Sequence, residues 1–111
     1  MNHHQEQGRA AYKRKDYTKA LSHFDRAIGQ TPSVQLLDNR AVCYERLDDL
    51  QAALKDAKKA IQLGKADPTG YLRAGRILQK MGKMNVALEI YSYGLKCVKA
   101  IGQGYDVSLT L

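Results

Sequence analysis

The sequence predicts an all-α domain, three helical hairpins stacked into a right-handed solenoid. Three observations lead there. Apolar residues recur at steps of three and four, the period of a helix. Small residues return after 33 and then 34 positions, at Gly8, Ala41 and Gly75, and Ala20, Ala53, Ala87 and Ala27, Ala60, Gly94 keep the same steps. Turn pairs return with them, at Lys15-Asp16, Asp48-Asp49 and Gly82-Lys83. No hairpin of this size buries its own apolar face, so each must stack on its neighbour, leaving one concave and one convex side.

Each element follows from these markers. The first helix, about 2–14, carries Gly8, Ala11 and Tyr12 and ends at Lys15-Asp16. Its opening turn is weakened by His4 and Gln7, where bulkier apolar residues would pack. The second, 17–30, presents Ala20, Phe24 and Ala27 on one face and stops before Pro32, which bounds it. The third, 34–47, holds Leu37, Ala41 and Tyr44, and the fourth, 50–63, holds Ala53, Ala57 and Ala60. Pro68 opens the third hairpin, with helices at 69–81 and 84–97. Small residues at fixed places let paired helices approach closely. Gly82 suits the left-handed residue that ends a helix, whereas Lys15 and Asp48 suit it less. In the tail 100–111, Ile101-Gly102-Gln103-Gly104 is expected to break the last helix. Tyr105, Val107, Leu109 and Leu111 then alternate with polar residues. That segment reads either as a truncated capping helix from about Asp106 or as an extended tail.

Composition narrows the function. The 111 residues, 44% hydrophobic, amount to one domain rather than two or a disordered chain. No apolar run reaches the roughly 20 residues of a membrane helix, and the first residues show no signal core. Cys43 and Cys97 form no disulfide framework or metal set and read as core residues, so an intracellular, reducing location is expected. His23 reads as a satisfied or half-exposed helix residue. No nucleophile elbow, phosphate loop, dinucleotide fingerprint or zinc-protease motif is present, so neither catalysis nor a cofactor is expected. The net charge is +7, and its excess is greatest in residues 68–99, where Glu89 is the one acid against six basic residues. That favours acidic partners.

The repeat resembles the tetratricopeptide repeat, over residues 1–99 in copies at about 1–33, 34–67 and 68–99. Gly8, Ala20, Phe24, Ala27 and Pro32 match its pattern in full. The second copy has Ala57 in place of the aromatic, and the third keeps Tyr71, Gly75, Ala87 and Tyr91. Lys65 and Lys99 replace the closing proline. Residues 70–96 and Leu37-Asp38-Asn39-Arg40-Ala41 are further similar to the N-terminal repeats of fungal F-box and leucine-rich-repeat proteins, substrate receptors of a cullin-type ubiquitin ligase. That similarity implies a nuclear domain tethering the ligase to replisome components, with an F-box lying beyond Leu111.

In such a stack the first helix of each pair lines the concave groove. The candidate peptide-binding residues are therefore Arg9, Tyr12, Lys13, Asn39, Arg46, Leu72, Arg73, Arg76 and Lys80. Arg73, Arg76 and Lys80 are expected to form one basic stripe, with Asp38 and Glu45 opposite. Fixed arginine forks suit a segment carrying carboxylates. One related class clamps the acidic C-termini of heat-shock chaperones. The resemblance places its five polar positions at Gln5, Arg9, Asn39, Thr69 and Arg73. Only Asn39 and Arg73 have the residue type the clamp requires, which ranks that class second. Nucleic acid ranks lower still. Tyr71 and Tyr91 sit at packing positions, and Lys55, Lys58 and Lys59 point away from the groove. No small-molecule substrate or membrane partner is implied.

Overall fold

The repeated turns place every helix. The computed structural model describes residues 3–102 (the side chains at 98 and 100–102 excepted), and these form six helices. They are α1 His3–Lys13, α2 Tyr17–Gln30, α3 Val34–Arg46, α4 Leu50–Leu63, α5 Pro68–Lys80 and α6 Met84–Gly102. Within each hairpin the first helix closes with the same pair of backbone bonds. The N–H of Asp16, Asp49 and Lys83 donates to the carbonyl five residues back, at 2.8–2.9 Å. The N–H of Lys15, Asp48 and Gly82 donates three residues back, at 2.9–3.0 Å. This double closure requires a left-handed residue between them. Gly82 supplies it at φ 80°, but so do Lys15 at 64° and Asp48 at 62°. The turn is thus kept where its residue is unfavourable, because stacking requires the same hairpin angle three times.

The next helix starts at once. Asp16 accepts from the N–H of Lys19 and Asp49 from that of Ala52, both at 3.2 Å, each capping the helix it precedes. Ser33 caps α3 through Leu36, and Asp67 caps α5 through Thr69, with Pro68 in the first turn. Helix α5 therefore begins one residue earlier than the sequence suggests. Helix α6 runs to Gly102, through the expected break at Ile101-Gly102. A helical glycine costs only about 1 kcal/mol and no proline stands there to stop the chain. The capping helix or extended tail expected over 103–111 lies outside the described residues.

Packing explains the departures from the repeat. Gly8 faces the ring of the buried Phe24, and Gly75 that of Tyr91; a Cβ on either glycine would run into the aromatic. In the second hairpin the glycine is Ala41 and the aromatic is Ala57, both fully buried. The two positions compensate, methyl against methyl instead of hydrogen against ring. The missing proline after α4 is also offset, since the Tyr71 hydroxyl donates to the Lys65 carbonyl at 2.8 Å and holds that connection.

Two cores result. One joins Ala11, Ala20, Phe24, Ala27, Leu36 and Cys43. The other joins Ala41, Ala53, Leu54, Ala57, Ala74, Ile77, Leu78 and Ala87. Burial pushes the Cys43 thiol up to about 11, which leaves it inert. Arg40 of α3 pins the stack across hairpins. It donates to both oxygens of the buried Asp56 on α4, at 2.8 Å each, and to Asp25 on α2 at 2.9 Å. Helix α6 leaves Val86, Leu88, Tyr93 and Leu95 exposed.

Candidate functional site

Helices α1, α3 and α5 bring their inner faces around a hollow of about 360 Å³. Arg9, Tyr12 and Lys13 come from α1, Asp38, Asn39 and Val42 from α3, and Arg73 from α5, with Phe24 of α2 beneath. Residues three, four and seven apart share a helix face, so each helix offers a short row of side chains.

Between α3 and α5 that row is an ionic lattice. Asp38 and Glu45 stand seven apart on α3, as Arg73 and Lys80 do on α5. The Arg73 Nε donates to Asp38 Oδ1 at 2.8 Å, and its Nη1 donates to Glu45 Oε1 at 3.1 Å. Lys80 Nζ completes the set on Glu45 Oε2 at 2.8 Å. The side chains of Asp38 and Glu45 are 13% and 6% exposed, so these carboxylates depend on their partners. Burial works against the Arg73 charge, but the bonds and attraction from Asp38 and Glu45 outweigh it and raise its pKa further.

The other wall is different. Arg9 and Lys13 are exposed and have no carboxylate partner among the described residues. Arg46 Nη2 donates to the Tyr12 hydroxyl at 3.3 Å, and the Tyr12 ring meets Tyr17 edge-on at 5.5 Å. At the floor, Asn39 Oδ1 accepts from Gln35 Nε2 at 2.9 Å. Its Nδ2 is buried and has no hydrogen-bond partner among the described residues. A donor in this state retains a capacity that a ligand carbonyl or carboxylate would satisfy.

Five of the nine expected residues, Arg9, Tyr12, Lys13, Asn39 and Arg73, line the hollow, and Arg46 reaches Tyr12. Of the expected basic stripe of Arg73, Arg76 and Lys80, the two ends are tied into ion pairs and the middle residue is not, among the described residues. At 100° per residue, Lys80 returns to within about 20° of Arg73, whereas Arg76 lies about 60° away. Arg73 and Lys80 are both held by Glu45. Arg76 is exposed without an ion-pair partner among the described residues, and Leu72 is exposed, both outside the hollow. Sequence reasoning set Asp38 and Glu45 opposite the cations but left them out of the site. The matching seven-residue spacings on α3 and α5 were the available signal. His23 is half-exposed, the second of the two states expected, and its Nδ1 has no partner among the described residues. No group of three His, Cys, Asp or Glu among the described residues is placed to hold a metal.

Three hairpins in this register, with this closure and this groove, make a tetratricopeptide-repeat domain. Comparison with known proteins agrees. The family model described as tetratricopeptide repeat matches residues 34–66. The chain is 39% identical over 92 residues to Hsp70-Hsp90 organizing protein 3 of Arabidopsis thaliana, covering 82% of this chain and 16% of that protein. It is 46% identical over 61 residues to Protein DIA2 of Eremothecium gossypii, 55% of this chain and 9% of that protein. Among solved structures, the second repeat domain of Spaghetti (RPAP3), bound to the HSP90 peptide SRMEEVD, superposes with a TM-score of 0.76 at 26% identity. That superposition covers 83% of this chain and 86% of that one. The chain thus spans a sixth or less of the two curated relatives.

Proposed function

We propose that this domain is a non-catalytic peptide-binding module, and that its hollow takes an acidic segment of the kind found in heat-shock chaperones. The observation that carries the reading is the hollow itself. A buried Asn39 donor without a partner among the described residues lies in it, with Arg9 and Lys13 beside it, neither in an ion pair among those residues. A peptide carboxylate or carbonyl answers both. The likeness to an Hsp70-Hsp90 organizing protein and to a domain bound to an HSP90 peptide supports this class. It moves ahead of the ligase reading that the sequence placed first. Calorimetric titration with SRMEEVD tests it, beside a control in which Glu and Asp become Gln and Asn. Micromolar binding of the acidic peptide, lost in the control and weakened at least tenfold by Asn39→Ala, is the expected result. Equal binding of both peptides would refute it.

A second reading rests on the similarity of residues 70–96 to fungal F-box receptor repeats. In it the same groove tethers a nuclear ubiquitin ligase to replisome proteins. Capture of those proteins from fungal extract, without chaperones and with nuclease present, would favour it.

A further inference from the structure

The two walls of the groove are unlike in charge. On the α5 side, Arg73 and Lys80 face Asp38 and Glu45, two cations against two anions, every carboxylate bonded. That lattice is neutral and already occupied by the protein's own acids, and Arg76, the remaining cation of this α5 row, lies outside the hollow. To engage a ligand carboxylate, Arg73 would have to release two carboxylates that are nearly buried. On the α1 side Arg9 and Lys13 form no ion pair among the described residues, and Arg46 of α3 donates there to the neutral Tyr12 hydroxyl. Within the hollow, the cations without an acid partner among the described residues are therefore those of one wall, Arg9 and Lys13. Arg9 and Lys13 are four apart on one helix face, their Cβ atoms about 6 Å from each other.

We propose that the groove reads a run of side-chain carboxylates seated on Arg9 and Lys13, and that it does not require a free chain end. Alternate side chains of an extended peptide point the same way, about 7 Å apart. Two acids separated by one residue therefore match the Arg9–Lys13 pair. The second Glu and the Asp of Glu-Glu-Val-Asp have that spacing. Arg73 and Lys80 are held by Asp38 and Glu45 and Arg76 lies outside the hollow, so no free cation faces Arg9 and Lys13 across it among the described residues to take a chain-end carboxylate as well. Asn39, at the floor between the walls, serves the ligand backbone. Asp38 and Glu45 thereby act as specificity residues, since they withhold Arg73 from the ligand.

This inference rests on the reading of the groove as an acidic-peptide site, and one titration series separates the two. The whole domain is titrated with SRMEEVD as free acid, as C-terminal amide, and with its second Glu and its Asp changed to Gln and Asn. The expected result is a loss of less than threefold on amidation and at least tenfold on removing the two side-chain acids. Arg9→Gln with Lys13→Gln, both exposed, should cost at least tenfold with unchanged helicity. Arg73→Gln should cost less than threefold. Asp38→Asn, which frees part of the guanidinium, should strengthen binding at least threefold and serves as the check if Arg73→Gln fails to fold. Loss of binding on amidation, or binding that survives the α1 double but not Arg73→Gln, overturns the inference and leaves the peptide site standing. Absence of binding to any of the three peptides overturns both.

Discussion

Replacing Gly8 with alanine tests whether close approach of helix to aromatic sets the repeat. At an exposed helical site this change is favourable by about 0.8–1 kcal/mol, because alanine loses less backbone entropy. Here the added Cβ would stand 2.6, 2.7 and 2.9 Å from three atoms of the Phe24 ring. Carbon atoms settle at roughly 3.5–4.0 Å. The ring would have to retreat by about 1 Å, yet Phe24 is 1% exposed and walled in by core residues. Overpacking of that kind costs about 1–3 kcal/mol, and three simultaneous clashes place it in the upper half of that range. Less the helix gain, the net loss is about 1–2 kcal/mol. For a domain of this length that lowers the melting temperature by roughly 4–8 °C per kcal/mol. Urea denaturation followed by helical circular dichroism measures it directly. The same substitution in a Phe24→Leu background removes the ring edge, so there Gly8→Ala should turn neutral or stabilising. Stabilisation by Gly8→Ala in the unaltered domain, or a double-mutant cycle without coupling, would refute the reasoning and the explanation of Ala41 opposite Ala57.

Three further outcomes are expected. Lys15→Gly relieves a left-handed lysine and should raise stability by roughly 0.5–1 kcal/mol, with Asp48→Gly gaining less because aspartate tolerates that conformation better; thermal melts would show the order. Asp56→Ala leaves the Arg40 guanidinium with Asp25 alone and should cost about 3 kcal/mol in urea denaturation, the largest loss of the set. His23 is held below its ordinary pKa of 6.5 by burial first, then by the nearby charges of Arg26, Lys19, His4 and His3. Below pH 6.5 the unfolded chain therefore binds more protons there, and stability falls as the solution is acidified. Melting temperatures from pH 7.5 to 5.5 should decline in the unaltered domain and decline less in His23→Gln.

Most of the fold was legible in the sequence, because what decides it is local or periodic. The apolar rhythm, the small residues at Gly8, Ala20 and Ala27 with their echoes, and the turn pairs each act within one or two helical turns. They set the six helices to within a residue or two at nearly every end. Their repetition left stacking as the one way to bury the exposed faces. Helix α6 is the exception, since a glycine weakens a helix without ending it, and only the packed chain decides how far it continues. The site was legible as a set of positions but not as a set of charges. Arg73 could be placed on the groove from its spacing. Its bonds to Asp38, 35 residues away, and Glu45, 28 away, depend on how one hairpin is offset against the next. The sequence alone determined which helices line the groove and the helix face on which each candidate stands, because facing follows from the period of a single helix, although Leu72 and Arg76 fall outside the hollow. Only the tertiary structure decided which of them are already paired, because a few ångströms of stacking offset separate a free cation from one held by its neighbour.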